Sequence, residues 1–248
     1  MPQSIKHDVE KEKRMSNKNN QFITRLDAAI AKYSLLDHPF YQLWNMGKLD
    51  KPTLVEYSKQ YYAHVDAFPV YLSAVHSRCE DTEARQLILE NLIEEEFGKE
   101  NHPELWLRFA EGVGGNRDEV KTAAHLPETV ESVNTLKELT CSDNFAEGIA
   151  ALYAYESQVP EIAKKKREGL NEFYGVTDEK TVSYFSVHEE ADIEHSDAER
   201  AILLKYATDS EMEDRLVAAA EKSAKAMWLL LDGIYENHVS ADAKACLN

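Results

Sequence analysis

Apolar residues recur at every third or fourth position along most of the chain, and stretches of strict apolar–polar alternation are hard to find. That periodicity favours helices over a sheet-based core. Only 9 glycines and 7 prolines punctuate 248 residues, so the predicted helices are long. Phe22, Leu26, Ala29, Ile30 and Tyr33 form one apolar stripe, and HPFYQLWNMGKL (38–49) reads as a short second helix. Lys51-Pro52 places proline in the first turn of a helix reaching about Arg78, which Phe68-Pro69 should kink. DTEARQLILENLIEEEFG carries an Asp81 cap and Gly98 near its end, and HPELWLRFAEGVGG is stopped by its glycines. Further helices are expected over 128–139, 144–167, 178–206 and 209–236. The expectation is one all-α domain of seven or eight main helices packed side by side as a bundle, the architecture that builds ligand and metal sites from side chains on facing helices.

Charge narrows the function. A net charge of −17 argues against nucleic acid and against an anionic membrane surface. No apolar run reaches the length of a membrane span. Residues 1–20 are polar and lack a signal-peptide core, so they are expected to be a flexible leader before a single domain over 21–248. The three cysteines, Cys79, Cys141 and Cys246, form no CxxC pair, which fits a reducing cytoplasm without a disulfide framework or structural zinc. Cys141 is expected to be a buried thiol opening the helix that bears Glu156, although it could also be a nucleophile. EGVGGN lacks the Lys-Ser/Thr of a phosphate loop.

Three clusters could carry metal chemistry. In HEEADIEHSDAE, His188, Asp192 and His195 stand at i, i+4 and i+7, within about 60° of one another on a continuous helix. The alternative is a solvated face with incidental histidines. Glu95 and His102 would lie ~10.5 Å apart along one helix if it continues between them, whereas Gly98 could end it first. Glu156 sits in IAALYAYESQVP, a nearly all-apolar helix, with no adjacent lysine or arginine; a cation would offset the cost of burying it, and so would a proton. Three carboxylates and three imidazoles suit two divalent ions with open positions for oxygen or substrate.

HPFYQLWNMGKL, YSKQYYAHVDAFPVYLSAVHSRC, EEEFGKENHPELW, LYAYESQVP and HEEADIEHS, in that order, make the chain resemble the heme-oxygenase-like (TenA/PqqC-like) di-metal oxidases. Within that set it is most similar to the p-aminobenzoate synthases typified by the Chlamydia protein associating with death domains (CADD). The resemblance implies a self-sacrificing synthase for folate synthesis that takes the aromatic ring from its own tyrosine. It further implies an Fe/Fe or Fe/Mn centre, dioxygen as co-substrate and a reductant. It carries the metal ligands onto Glu95, His102, Glu156, His188, Asp192 and His195, the sacrificial tyrosine onto Tyr41, a second tyrosine onto Tyr57, and a lysine that could supply nitrogen onto Lys166.

Read without the resemblance, Tyr41 and Tyr57 look like core packing, and Lys166 in KKKR looks like a charge at a helix C-terminus. Two rival functions stand beside the synthase: a di-metal oxidase acting on an external small molecule, and an interaction protein engaging death-domain-type helices. A homodimer is the expected assembly for this fold.

Overall fold

The computed structural model describes residues 18–247, and every regular element among them is helical. Residues 18–31 form α1. After a 3-10 turn at Leu35–Asp37, the first of two (the second is Ala245–Leu247), come α2 (Pro39–Asn45), α3 (Lys51–Arg78), α4 (Thr82–Glu96), α5 (His102–Gly112) and α6 (Arg117–Lys121). Then follow α7 (Pro127–Thr140), α8 (Phe145–Glu156), α9 (Val159–Tyr174), α10 (Glu179–His188), α11 (Ala191–Tyr206), α12 (Ser210–His238) and α13 (Ala241–Lys244). Helix already runs from residue 18, three residues inside the expected leader, where Lys18 Nζ lies 3.2 Å from Glu213 Oε1. The rest of that leader lies outside the described residues.

Local chemistry sets the boundaries. Asp50 Oδ1 accepts from Thr53 N at 2.9 Å, with Pro52 in the first turn of α3. Asp81 caps α4 through Glu83 N, and Asn101 caps α5 through Glu104 N, with Pro103 in its first turn. Pro69 lies inside α3, which remains helical on both sides of it.

Ten helices of ten residues or more are present among the described residues, against seven or eight expected. The excess arises where two predicted helices are interrupted. The 144–167 helix breaks at Ser157–Gln158, and Pro160 sits in the first turn of its successor. The 178–206 helix breaks at Glu189–Glu190, where Arg167 of α9 grips Glu189 with two guanidinium nitrogens, one at 2.8 Å.

At the centre lies α8, buried from Ala146 to Glu156 apart from Glu147, as an all-round apolar helix must be. It packs against α7, α11 and α12, and α3 crosses nearby. Gly148 permits this approach: a Cβ there would meet Val75 Cγ2 at 2.6 Å. Cys141 departs from expectation. It is exposed, and it caps the C-terminus of α7 rather than opening α8. No helix among the described residues is long and apolar enough to cross a membrane.

Candidate metal centre

The buried face of α4 runs Ala84, Ile88, Asn91, Glu95, so helical periodicity itself turns one amide and one carboxylate inward among apolar neighbours. The helix ends at Glu96, and the loop to α5 brings His102 back as the first residue of the next helix. The two-turn spacing on one helix is therefore not what joins Glu95 to His102. Likewise His188 ends α10 while Asp192 and His195 occupy the first turns of α11, so the break at 189–190, not a common face, delivers the three. Glu156 closes α8 and is 1% exposed.

These six side chains meet as two trios. Glu95, His102 and His188 offer donor atoms within 4.8 Å of one another, as do Glu156, Asp192 and His195. Glu95 Oε1 lies 2.7 Å from His102 Nδ1 and 3.8 Å from His188 Nε2. His195 Nδ1 lies 3.5 Å from both Glu156 Oε1 and Asp192 Oδ1. Donors bonded to one ion at about 2.0–2.2 Å sit at most about 4.4 Å from each other, so each trio is close to a coordination sphere. Tyr184 O accepts from His188 Nδ1 at 2.6 Å, which leaves Nε2 facing the trio. Asn91 Nδ2 donates to Glu156 Oε1 at 2.8 Å.

The polar atoms here are left wanting. Glu156 Oε2 and both oxygens of Asp192 are buried without a well-formed hydrogen bond, as are Nδ1 of His102 and of His195, whose close approaches to the carboxylates are not aligned for one. Native interiors rarely tolerate such a concentration, and cations would satisfy it. Electrostatics agree. Burial opposes ionisation of Glu95, yet His102 and His188 outweigh it and hold the carboxyl at about 2. Burial also opposes charge on His188 and His195, but Asp192 and Glu95 raise the first to about 9, and Asp192 and Glu156 raise the second to about 10. Divalent ions can replace those protons. The residues present therefore fit a pair of metal ions.

A second polar cluster lies under α2. Tyr41 and Tyr57 are buried, with their hydroxyl oxygens 3.0 Å apart. Lys166 Nζ donates to Tyr57 Oη at 2.6 Å and lies 4.9 Å from the centre of the Tyr41 ring. The KKKR run does not end a helix, because α9 continues to Tyr174 and turns Lys166 into the core. Burial among rings pushes its amine well below the ordinary lysine value. Burial likewise pushes both phenols well up. Among the described residues no carboxylate pairs with Lys166. Among the described residues no hydrogen bond or ring contact joins Tyr41 to either trio. Ring contacts lead from Tyr41 to Tyr57 (6.3 Å), Tyr57 to Trp106 (5.7 Å), Trp106 to Tyr184 (4.8 Å) and Tyr184 to His102 (6.2 Å).

The model of the iron-containing redox enzyme family matches residues 55–228, well over half of the chain and spanning all six donors. The chain belongs to that family. It is 43% identical to the 4-aminobenzoate synthase of Nitrosomonas europaea over 228 residues, 88% of this chain and 93% of that one. With the 4-aminobenzoate synthase of Chlamydia muridarum it shares 40% over 230 residues, covering 92% and 96%. A solved domain of unknown function with a heme oxygenase-like fold from Shewanella denitrificans superposes with a TM-score of 0.71 at 18% identity, covering 92% of this chain and 96% of that one. The fold is thus heme oxygenase-like, and the chain is an oxidoreductase of a metal-using family.

Two residues at this family member's centre, Asn91 and Glu199, escaped sequence reasoning, and Glu94 joins them against the expectation that only one of three consecutive glutamates faces the core. Asn91 is four before Glu95 and shares its face. Glu94 turns mostly to solvent, yet its Oε2 lies 3.2 Å from His195 Nε2. Glu199 follows Asp192 by seven residues and His195 by four, a spacing that flags one helical face. It is 5% exposed, and burial, then the neighbouring Glu156, pushes its carboxyl well above the usual range.

Proposed function

We propose that this chain is a self-sacrificing 4-aminobenzoate synthase whose own Tyr41 supplies the ring, with Tyr57 and Lys166 serving that conversion. The relatives named 4-aminobenzoate synthase are 39–43% identical over most of their lengths, which supports the product. The observation that carries the residue assignment is the Lys166 amine, buried without a counter-ion beside the Tyr41 ring and bonded to the hydroxyl that touches Tyr41.

The atom map is consistent. Cβ of tyrosine stands para to its hydroxyl, as the carboxyl carbon of 4-aminobenzoate stands para to its amine. Cleaving Tyr41 between Cα and Cβ and replacing Oη by nitrogen therefore conserves the ring pattern. Glu95, His102 and His188 would hold one divalent ion, and Glu156, Asp192 and His195 a second, as Fe/Fe or Fe/Mn. Such a pair supplies dioxygen activation, with electrons from an external reductant. The phenol proton of Tyr41 has a path through Tyr57 Oη to Lys166 Nζ, which as a neutral amine can accept it. The same neutral amine is a nucleophile that could give its nitrogen. The Tyr57, Trp106 and Tyr184 rings form one continuous line of contacts between Tyr41 and the first trio. Holding the reacting ring covalently removes the entropy cost of capturing a substrate.

An external substrate is disfavoured by space. The cavity beside the second trio holds about 180 Å³, below the 300–1,000 Å³ typical of small-molecule pockets.

The Tyr41→Phe chain, loaded with iron and manganese and supplied with reductant and oxygen, should bind metal normally and form no 4-aminobenzoate. In the wild type, mass spectrometry should find at most one product per chain and a lesion at residue 41. Lysine labelled with nitrogen-15 separates the two roles of Lys166. Normal product from Tyr41→Phe would overturn the assignment.

A further inference from the structure

A cleft between α4 and α11 leads from the surface to the Glu156/Asp192/His195 trio. Exposed Glu90, Glu94 and Glu194 line its outer part, and Asn91, His195 and Glu199 its inner part. Among the described residues, none of Glu90, Glu94, Glu194 and Glu199 forms an ion pair with lysine or arginine. An acidic rim alone would be a solvated surface. What sets this one apart is Glu199, 5% exposed, with neither oxygen hydrogen-bonded. A carboxylate in that position, beside two others, is costly to maintain unless a cation comes to it. The charges also balance. With two ions bound and all four ionised, Glu95, Glu156, Asp192 and Glu199, the four buried carboxylates around the centre, equal the ions in charge, whereas the three ligand carboxylates leave a positive excess.

We propose that this cleft is the port through which a divalent cation reaches the second trio, with Glu94 passing the ion to His195 and Glu199 as the buried carboxylate that receives and balances it. This rests on the two-ion reading above. The outer glutamates concentrate cations by their field and exclude anions. Glu94 touches His195 from the solvent side, so an ion held by Glu94 is already next to a ligand of the trio. Glu199, one helical turn beyond His195, approaches the trio from the opposite end of the same face.

The test adds Mn²⁺ to the full chain freed of metal and follows loss of the free-ion EPR signal in freeze-quenched and equilibrium samples. Wild type should take up two ions. Glu199→Gln should take up the first normally and bind the second about 10–100-fold more weakly. The triple variant Glu90→Gln/Glu94→Gln/Glu194→Gln, altered only at exposed positions, should load the second ion at least about tenfold more slowly, with a weaker dependence on salt. Exposed Glu131→Gln, on another face, should behave as wild type. If wild type takes up two ions and both the Glu199 and the triple variants load them at wild-type rate and affinity, the port is overturned and the two-ion reading stands. If wild type takes up none, the two-ion reading falls and the port with it. Should Glu199→Gln fail to fold, the triple variant decides alone.

Discussion

Replacing Lys166 with methionine should stabilise the chain near neutral pH and remove a slope from its stability–pH curve. Lys166 is 4% exposed, and its Nζ lies 4.7–5.8 Å from the centres of five aromatic rings. Desolvation disfavours the ammonium there, so the folded chain holds a neutral amine while the unfolded chain holds a charged one. Across the window between the depressed folded pKa and the unfolded value near 10.4, the unfolded state binds one more proton. Wild-type stability therefore rises with pH through that window, by about 1.4 kcal/mol per unit, and levels off beyond either end. Methionine is of similar length and fits irregular apolar space without a charge. It forfeits the bond to Tyr57, worth about 1 kcal/mol, although Tyr57 keeps Tyr41 as partner. The variant should be the more stable near pH 7, and its advantage should shrink by about 1.4 kcal/mol per unit as pH rises. Urea unfolding of both metal-free chains at fixed pH values between 6 and 9.5 reads the difference directly. Parallel curves would show that Lys166 folds with its proton and would refute the neutral amine.

Other substitutions probe the scaffold. A Cβ at Gly169 would lie 2.8 Å from Trp44 Cδ1 and Nε1, so Gly169→Ala should cost about 1–3 kcal/mol in thermal or urea melts. It should also lower product per chain by moving α2, and Tyr41 with it, away from Lys166. Asn91→Leu removes the donor that orients Glu156 and should weaken metal binding about 10–100-fold in chelator competition. Chelation should lower the melting temperature, and metal affinity should rise with pH because the imidazoles and carboxylates must shed protons to ligate.

All-helical architecture was legible because burial imposes a 3.6-residue period that composition cannot hide. Asp81 announced its helix start by capping chemistry, and Pro52 marked the first turn of α3. The break before Val159 had a visible sign in Pro160, which fits a first helical turn better than an interior. The break at Glu189–Glu190 had none: two good helix formers stand there, and the interruption depends on Arg167 reaching across from another helix. For that reason His188, Asp192 and His195 were singled out by residue type and by resemblance, while the geometry offered for them, a single continuous face, was wrong. Glu199 could have been found by extending the same face one turn. Lys166 was reached only through the resemblance, since by its own chemistry a KKKR run reads as solvated until the tertiary structure shows which of its members turns inward.

The most direct test of the centre is diffraction from metal-loaded crystals at the iron and manganese absorption edges. Two anomalous peaks are predicted, one among Glu95, His102 and His188 and the other among Glu156, Asp192 and His195. A single peak, or peaks away from those side chains in fully loaded protein, would contradict the account.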